Sequence, residues 1–157
     1  MPGFHSVRPA SLVARVAAIT AIAIGLGACQ TKGDGGLISS ADKVELSSAS
    51  AEAIAGDMVG KLAEVAGPGT GTIIVKSDGS PFGEALATSL KDWGYAVASP
   101  DQKAAGGEKI HLAYVVDTFE GSVLARLSTS TVDLGRVYSV TGKGASPSSP
   151  LSIMRRG

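Results

Sequence analysis

The stretch from Thr72 to Ser99 constrains the fold of this chain more than any other. Thr72-Ile-Ile-Val-Lys76 reads as a short β-branched strand, and its apolar triple Ile73, Ile74 and Val75 suits burial on both faces. Ser77-Asp-Gly-Ser80 turns the chain. Pro81 then stands where a first helical residue belongs, with Ser80 as its cap. Phe82, Leu86, Leu90 and Trp93 line one face of the helix that follows, so Trp93 is expected in the core. Gly94 ends that helix, and Tyr95 to Ser99 returns as a second strand. Strand, helix and strand in this order make a crossover of right-handed rule, so the two strands are expected to be parallel.

The flanking segments extend this unit in both directions. Ala51, Ile54, Met58, Leu62 and Val65 recur at three- and four-residue intervals and predict a helix from about Ser48 to Ala66. Ser47 or Ser48 can cap it, and Gly67-Pro68 stops it. Gly56 and Gly60 each weaken it by nearly ~1 kcal/mol relative to Ala, and are expected to admit close packing on a sheet. Further on, Ile110, Leu112, Tyr114 and Val116 alternate along one strand. Glu120-Gly121 turns it into Val123 to Val132, and Asp133 to Arg136 turns again into Val137 to Val140. The segment Val44 to Val140 holds 30 large apolar residues, enough for one modest core. The expected class is α+β, a small two-layer domain with two helices on one face of a mixed sheet of about five strands. The other face would show His111, Asp117, Arg126, Ser128 and Ser130.

The start of the chain has a different character. Arg8 and Arg15 are its only charges before Lys32, and Val16 to Leu26 is an eleven-residue apolar run leading to Gly27, Ala28 and Cys29. A basic start, a short apolar run and a small-residue exit define a secretory signal peptide. As a helix the run would reach roughly 16 Å, about half of the ~30 Å hydrocarbon core, so an uncleaved amino-terminal anchor is the weaker reading. Leu26-Gly27-Ala28-Cys29 resembles the lipobox of bacterial lipoproteins. That resemblance implies a diacylglyceryl group on the Cys29 thiol, cleavage before Cys29 and acylation of the freed amine. Two or more such chains make a stable anchor. A buried structural Cys is the alternative reading, but the only Cys of the chain stands directly after the signal-like run. Gln30 is not the Asp that retains many lipoproteins in the inner membrane, which favours the outer membrane by the same resemblance.

The resulting map has four parts. Residues 1–28 form the signal peptide, and 29–43 the lipidated start and a Gly- and Ser-bearing flexible tether. Residues 44–141 form the periplasmic α+β domain, and 142–157 a disordered tail with prolines and few apolar residues. Removing residues 1–28 leaves 129, with 12 basic against 14 acidic side chains, or −2. That balance lacks the footprint that direct nucleic-acid binding needs. One Cys also excludes a disulfide framework and a multi-cysteine zinc site.

Catalytic chemistry does not emerge from the remaining residues. Gly67-Pro-Gly-Thr-Gly71 lacks the Lys-Ser/Thr ending of a phosphate loop and precedes a strand instead of following one. His111 is the only His after the signal, which contains His5, and no ligand-spaced partners surround it. A triad of His111 with Asp117 and a serine can be drawn, but no Gly-x-Ser-x-Gly elbow exists to carry it. Glu45, Glu52, Asp57 and Glu64, interspersed with Lys43 and Lys61, read as a solvated helix face. Arg155-Arg156 is too short for a basic patch. The expectation is a non-enzyme with no cofactor, no metal and no small-molecule substrate.

The whole chain resembles the TrbH family of conjugal transfer lipoproteins. The resemblance rests on size, on the lipobox, on Ala51 to Leu62 and on Ser80 to Tyr95, and covers most of residues 10 to 140. Only Cys29 transfers as a functional residue. The resemblance implies a lipid-anchored structural or accessory subunit in mating-pair formation, within the type IV secretion apparatus that moves plasmid DNA. Its partners would be the membrane and other envelope proteins of that machine. A lipid-tethered periplasmic module regulating a cell-wall enzyme is the alternative from another class.

Overall fold

The computed structural model describes residues 40–69, 71–102 and 107–157, together with Gly3, and its elements fall within one unit of the chain. Helix α1 spans Ser48–Ala66. The Ser47 hydroxyl accepts the Ser50 amide at 3.2 Å, satisfying one of the orphan donors of the first turn. Gly67 closes the helix in a positive-φ conformation, its amide donating to the Ala63 carbonyl at 3.0 Å. Helix α2 spans Pro81–Asp92, capped by Ser80, whose hydroxyl accepts the Gly83 amide at 3.1 Å. Glu84 in its first turn and Lys91 in its last complement the helix dipole. Both helices begin and end where caps and breakers in the sequence place them.

The described residues contain eight strands: β1 Ala41–Asp42, β2 Thr72–Val75, β3 Ala96–Ala98, β4 Lys109–Phe119, β5 Ser122–Ser128, β6 Val132–Thr141, β7 Gly144–Pro147 and β8 Ser152–Arg155. They form one mixed sheet in the order β3-β2-β4-β5-β6-β7, with β1 also on β4 and β8 also on β6. β2 and β3 are parallel, Thr72 opposite Ala96, as the crossover requires. β2 is parallel to β4 as well, through Lys109 to Leu112. The eleven-residue β4 has length to spare, and β1 pairs further along the same side at Val115 and Val116. β4, β5 and β6 form an antiparallel meander. Its first hairpin turns at Glu120 and Gly121, whose φ values of 47° and 76° are those of a two-residue primed turn.

Three boundaries differ from the sequence reading. The second reversal falls at Thr129 to Thr131, not at Asp133 to Arg136, which belong to β6. The Thr129 hydroxyl accepts the amides of Val132 at 3.0 Å and Thr131 at 3.3 Å, so a threonine side chain builds the turn that Gly135 seemed to announce. Second, the expected disordered tail is two strands. β7 pairs with Tyr138 to Thr141 and β8 with Val132 to Gly135, dividing the free side of β6 between them. Pro147 ends β7 and Pro150 lies in the link, so neither interrupts a ladder. Third, Ala41–Asp42 joins the sheet and the Lys43 amide donates to the Val116 carbonyl at 3.0 Å, inside the span assigned to the tether.

α1 lies against β6 and β7, α2 against β3, and the helices pack on each other. The core lies between them and one sheet face, with Ile54, Met58, Leu62, Phe82, Leu86 and Leu90 meeting Leu112, Tyr114, Val116, Ala125, Leu127 and Leu134. Each large side chain buried there contributes about 1.5–3 kcal/mol. Trp93 is not among them. It is 46% exposed, because α2 ends at Asp92 and Trp93 leaves the helical stripe as its C-cap. Its ring covers Gly60 of α1, where an added Cβ would stand 3.4 Å from it, while a Cβ on Gly56 would meet nothing within 4 Å. The helix glycines therefore do not serve sheet packing.

Candidate functional site

Cys29 and the lipobox residues Leu26, Gly27 and Ala28 lie outside the described residues, as does His5. Within the domain, the polar chemistry gathers at two places where a helix end or helix face meets the sheet. The first is the turn between β2 and α2. The Tyr114 hydroxyl donates to Asp78 Oδ1 at 2.6 Å and accepts the Asp78 amide at 3.2 Å. Asp78 Oδ1 also accepts the Ser80 amide at 3.0 Å, and Asp78 Oδ2 the Asp42 amide at 2.7 Å. Burial works against the Asp78 charge, but the Ser80, Tyr114 and backbone donors outweigh it and hold the carboxyl at about 2. One carboxylate thus fastens β1, β4 and the start of α2 together. Gly83 is small for this reason: a Cβ there would stand 2.4 Å from the Tyr114 hydroxyl.

Asp42 beside it has the opposite character. Its Oδ1 accepts the Val44 amide at 3.0 Å, while its buried Oδ2 has no partner. Burial and the neighbouring Asp78 charge push its pKa up, against the Val44 hydrogen bond. The two carboxyl groups meet where β1 joins the sheet.

The second cluster joins α1 to β6. Asp57 accepts Arg136 Nη1 at 3.0 Å and the Tyr138 hydroxyl at 2.5 Å, while Arg136 Nε donates to the Ser149 carbonyl at 3.1 Å. Side-chain exposures of 18% for Arg136 and 26% for Asp57 make this a half-buried ion pair. Burial and the Asp57 carboxylate push the Tyr138 hydroxyl well above its usual range. Asp57 is therefore not part of a solvated face. Glu52 and Glu64 are, Glu64 in an exposed pair with Lys61 at 2.8 Å. The signal was present in the sequence, since Asp57 stands three residues after Ile54 on the apolar stripe. It could be used only with β6 drawn through Gly135, which puts Arg136 in alternation with Leu134 and Tyr138.

The remaining sequence candidates are dispersed. His111 is exposed on β4, opposite Ile74. Asp117 lies six residues further along the strand, roughly 20 Å away, and pairs with Lys43 at 3.0 Å. A triad of His111 and Asp117 is geometrically closed off. The Gly67 to Gly71 loop is a packing joint: a Cβ at Gly69 would lie 2.5 Å from Tyr95 N and one at Gly71 2.7 Å from the Glu108 carbonyl. The Tyr95 hydroxyl donates to the Gly67 carbonyl across the same joint. A cleft of about 520 Å³ beside α1 and α2 is lined by Glu52, Glu84 and Asp92 with Ser48, Thr88 and Ser89, without histidine or cysteine. Among the described residues no group of three or more His, Cys, Asp or Glu side chains could hold a metal ion.

What remains free is surface. Val115, Leu124 and Val137 sit half-buried on the sheet face away from the helices, with Arg126, Ser128 and Asp133 around them. Among the described residues no helix is long and apolar enough to cross a membrane. By fold this is a small two-layer α+β domain whose buried polar groups tie the helices to the sheet.

Comparison with known proteins gives the family. The model of the family described as "Conjugal transfer protein TrbH" matches residues 31–157, and this chain belongs to that family. A relative from Sinorhizobium fredii (strain NBRC 101917 / NGR234), "Probable conjugal transfer protein TrbH", is 45% identical over 135 residues, covering 83% of this chain and 90% of its own length. No solved structure matches. The family match runs to Gly157 and so includes β7 and β8.

Proposed function

We propose that this chain is a lipid-anchored accessory or structural subunit of a plasmid conjugal transfer apparatus, stabilising the envelope complex of a type IV secretion machine during mating-pair formation. The match to the family described as conjugal transfer protein TrbH over residues 31–157 carries the transfer role, and the lipobox-like Leu26 to Cys29 supports the anchor. In this reading Cys29 is cleaved free and acylated, and the chains hold the protein to the membrane with the domain facing the periplasm. Gln30 favours the outer membrane. The twelve steps from Cys29 to Ala41 span at most about 43 Å, so the start of β1 stays within that distance of the bilayer. The partners are other envelope subunits. A mature side-chain balance of −2 argues against a direct grip on the transferred DNA.

The test is Cys29→Ser in a conjugating strain, read by transfer frequency and by envelope fractionation. The expected outcome is loss of membrane attachment and a fall in transfer of at least tenfold. Unchanged attachment and unchanged transfer would overturn the reading.

A further inference from the structure

We propose that β1 is a pH-sensitive latch, which holds the segment before α1 against β4 while the Asp42 carboxyl carries its proton and releases it when that proton leaves. β1 has two residues and pairs with β4 only at Val115 and Val116. Around that pairing the Asp42 amide donates to Asp78 Oδ2 at 2.7 Å, the Lys43 amide to the Val116 carbonyl at 3.0 Å, and the Tyr114 amide to the Ser40 hydroxyl at 3.3 Å. The Lys43–Asp117 ion pair is exposed on both sides and adds little. Just beyond, the chain is clamped. Leu46 is buried, and the Ser50 hydroxyl donates to the Thr141 and Gly144 carbonyls at 2.8 Å and 3.0 Å. Ser40 to Glu45 thus form a strap that can swing about Leu46 with α1 in place. A cavity of about 600 Å³, lined by Asp42 to Leu46 with Ser80 and Pro81, leaves the strap loosely packed on the start of α2.

The register decides which groups face Asp42. It sets Asp42 beside Val116 on the core side and Lys43 beside Asp117 on the outer side, so the cation of the strap is turned away from Asp42. Asp78 from the turn before α2, Tyr114 and Asp117 from β4, and Glu45 on the strap are the other titratable groups at β1 among the described residues, and none is a cation. An ionised Asp42 therefore leaves a buried, unpartnered Oδ2 beside the carboxylate that accepts its own amide. Burial and the Asp78 charge raise its pKa, and the Val44 amide and Ser80 hydroxyl oppose them without prevailing. Once the strap is released, Asp42 returns to water and to the ordinary carboxylate range. The docked strap binds the proton more tightly than the free one, so docking is at full strength below 3.8 and weakens as pH rises through the docked value. Asp78, held at about 2, stays ionised across that window and goes on accepting the Asp42 amide.

The consequence for reach rests on the reading of Cys29 as the anchor. Release moves the first fixed point of the domain from Ala41 to Leu46, seventeen steps from Cys29. At full extension the link to the bilayer grows from about 43 Å to roughly 60 Å.

Amide hydrogen exchange on the full-length protein in detergent micelles reads the latch, each rate being divided by the intrinsic rate of that amide at the same pH. The Lys43 amide is expected to be protected at least about tenfold less than that of Ala125 in the middle of β5, the mark of local opening. Its protection is expected to fall about threefold or more between about pH 4 and pH 8. In Asp42→Asn that fall disappears and the strap stays docked at the higher pH. Asp42→Ser, neutral without the added amide donor, loses the fall as well. Asp117→Asn, which breaks only the outer ion pair, lowers Lys43 protection by a similar factor at both pH values. Equal protection of Lys43 and Ala125 overturns the proposal, since the strap then opens only with the whole domain. So does a Lys43 protection that ignores pH, or a fall that persists in both Asp42 variants. Cys29→Ser is expected to show the same pH response, so the latch and the anchor stand or fall separately.

Discussion

Two tyrosine–aspartate ties hold the helices of this domain to its sheet, and they solve the same problem by different electrostatics. Tyr138 donates to Asp57 at 2.5 Å and Tyr114 donates to Asp78 at 2.6 Å. In the first, a cation completes the site: Arg136 lies 3.0 Å from the same carboxylate. In the second no cation takes part, and hydroxyl and amide donors hold the charge beside a second carboxylate, Asp42. An ion pair out of water depends on both partners, whereas an anion held by dipoles depends on the sum of several small donors. The first tie is therefore brittle on mutation, and the second responds to pH.

The largest expected effect is at the brittle tie. Asp57→Ala leaves Arg136 half-buried without its anion and is expected to cost about 3 kcal/mol, read as a fall in the urea midpoint at unchanged slope. Asp57→Leu with Arg136→Met should recover most of that loss, since it removes both charges together. Asp78→Ala is expected to cost less, about 1–2 kcal/mol, because it leaves the Tyr114 hydroxyl and two amides without an acceptor but no charge without its partner. Equal losses at the two aspartates would remove the distinction.

Next in size is the pH response. The Asp78 pKa is lowered to about 2 from 3.8, so its contribution is present above the unfolded value and is lost as pH falls towards 2. Asp42 runs the other way: its folded pKa is raised, so its contribution is present below 3.8 and is lost as pH rises through the folded value. Thermal unfolding in an Asp78→Asn variant should lose part of the acid-side decline. The smallest effect belongs to Asp42→Asn, which replaces an ionised group carrying a buried, unpartnered oxygen. It is expected to raise the melting temperature at pH 7 by a few degrees and to flatten the profile above the ordinary carboxylate range. A lower melting temperature at pH 7 would show that the Asp42 charge is compensated.

The elements read from local signals were recovered and those that depend on distant partners were not. Ser47, Ser80, Pro81, Gly67 and Gly94 bracket the two helices within a residue or so, because caps and breakers act through a few bonds. The β-branched run at Thr72 to Val75 and the Glu120-Gly121 turn were equally local. β7 and β8 were hidden because neither Gly144–Pro147 nor Ser152–Arg155 has a strand signature of its own. Each is a strand because β6 offers it a row of main-chain donors and acceptors. Trp93 misled in the same way, since helical spacing continued past the point where the helix stopped.

By itself the sequence determined the two-layer class, the crossover, both helices and the resemblance built on Cys29, since periodicity, caps and short motifs are properties of neighbouring residues. Only the tertiary structure decided which polar groups are buried, that Asp57 meets Arg136 across 79 positions, and that the last residues close the sheet with an open edge. Those outcomes depend on the relative placement of elements, where desolvation and main-chain pairing act between residues far apart in the chain.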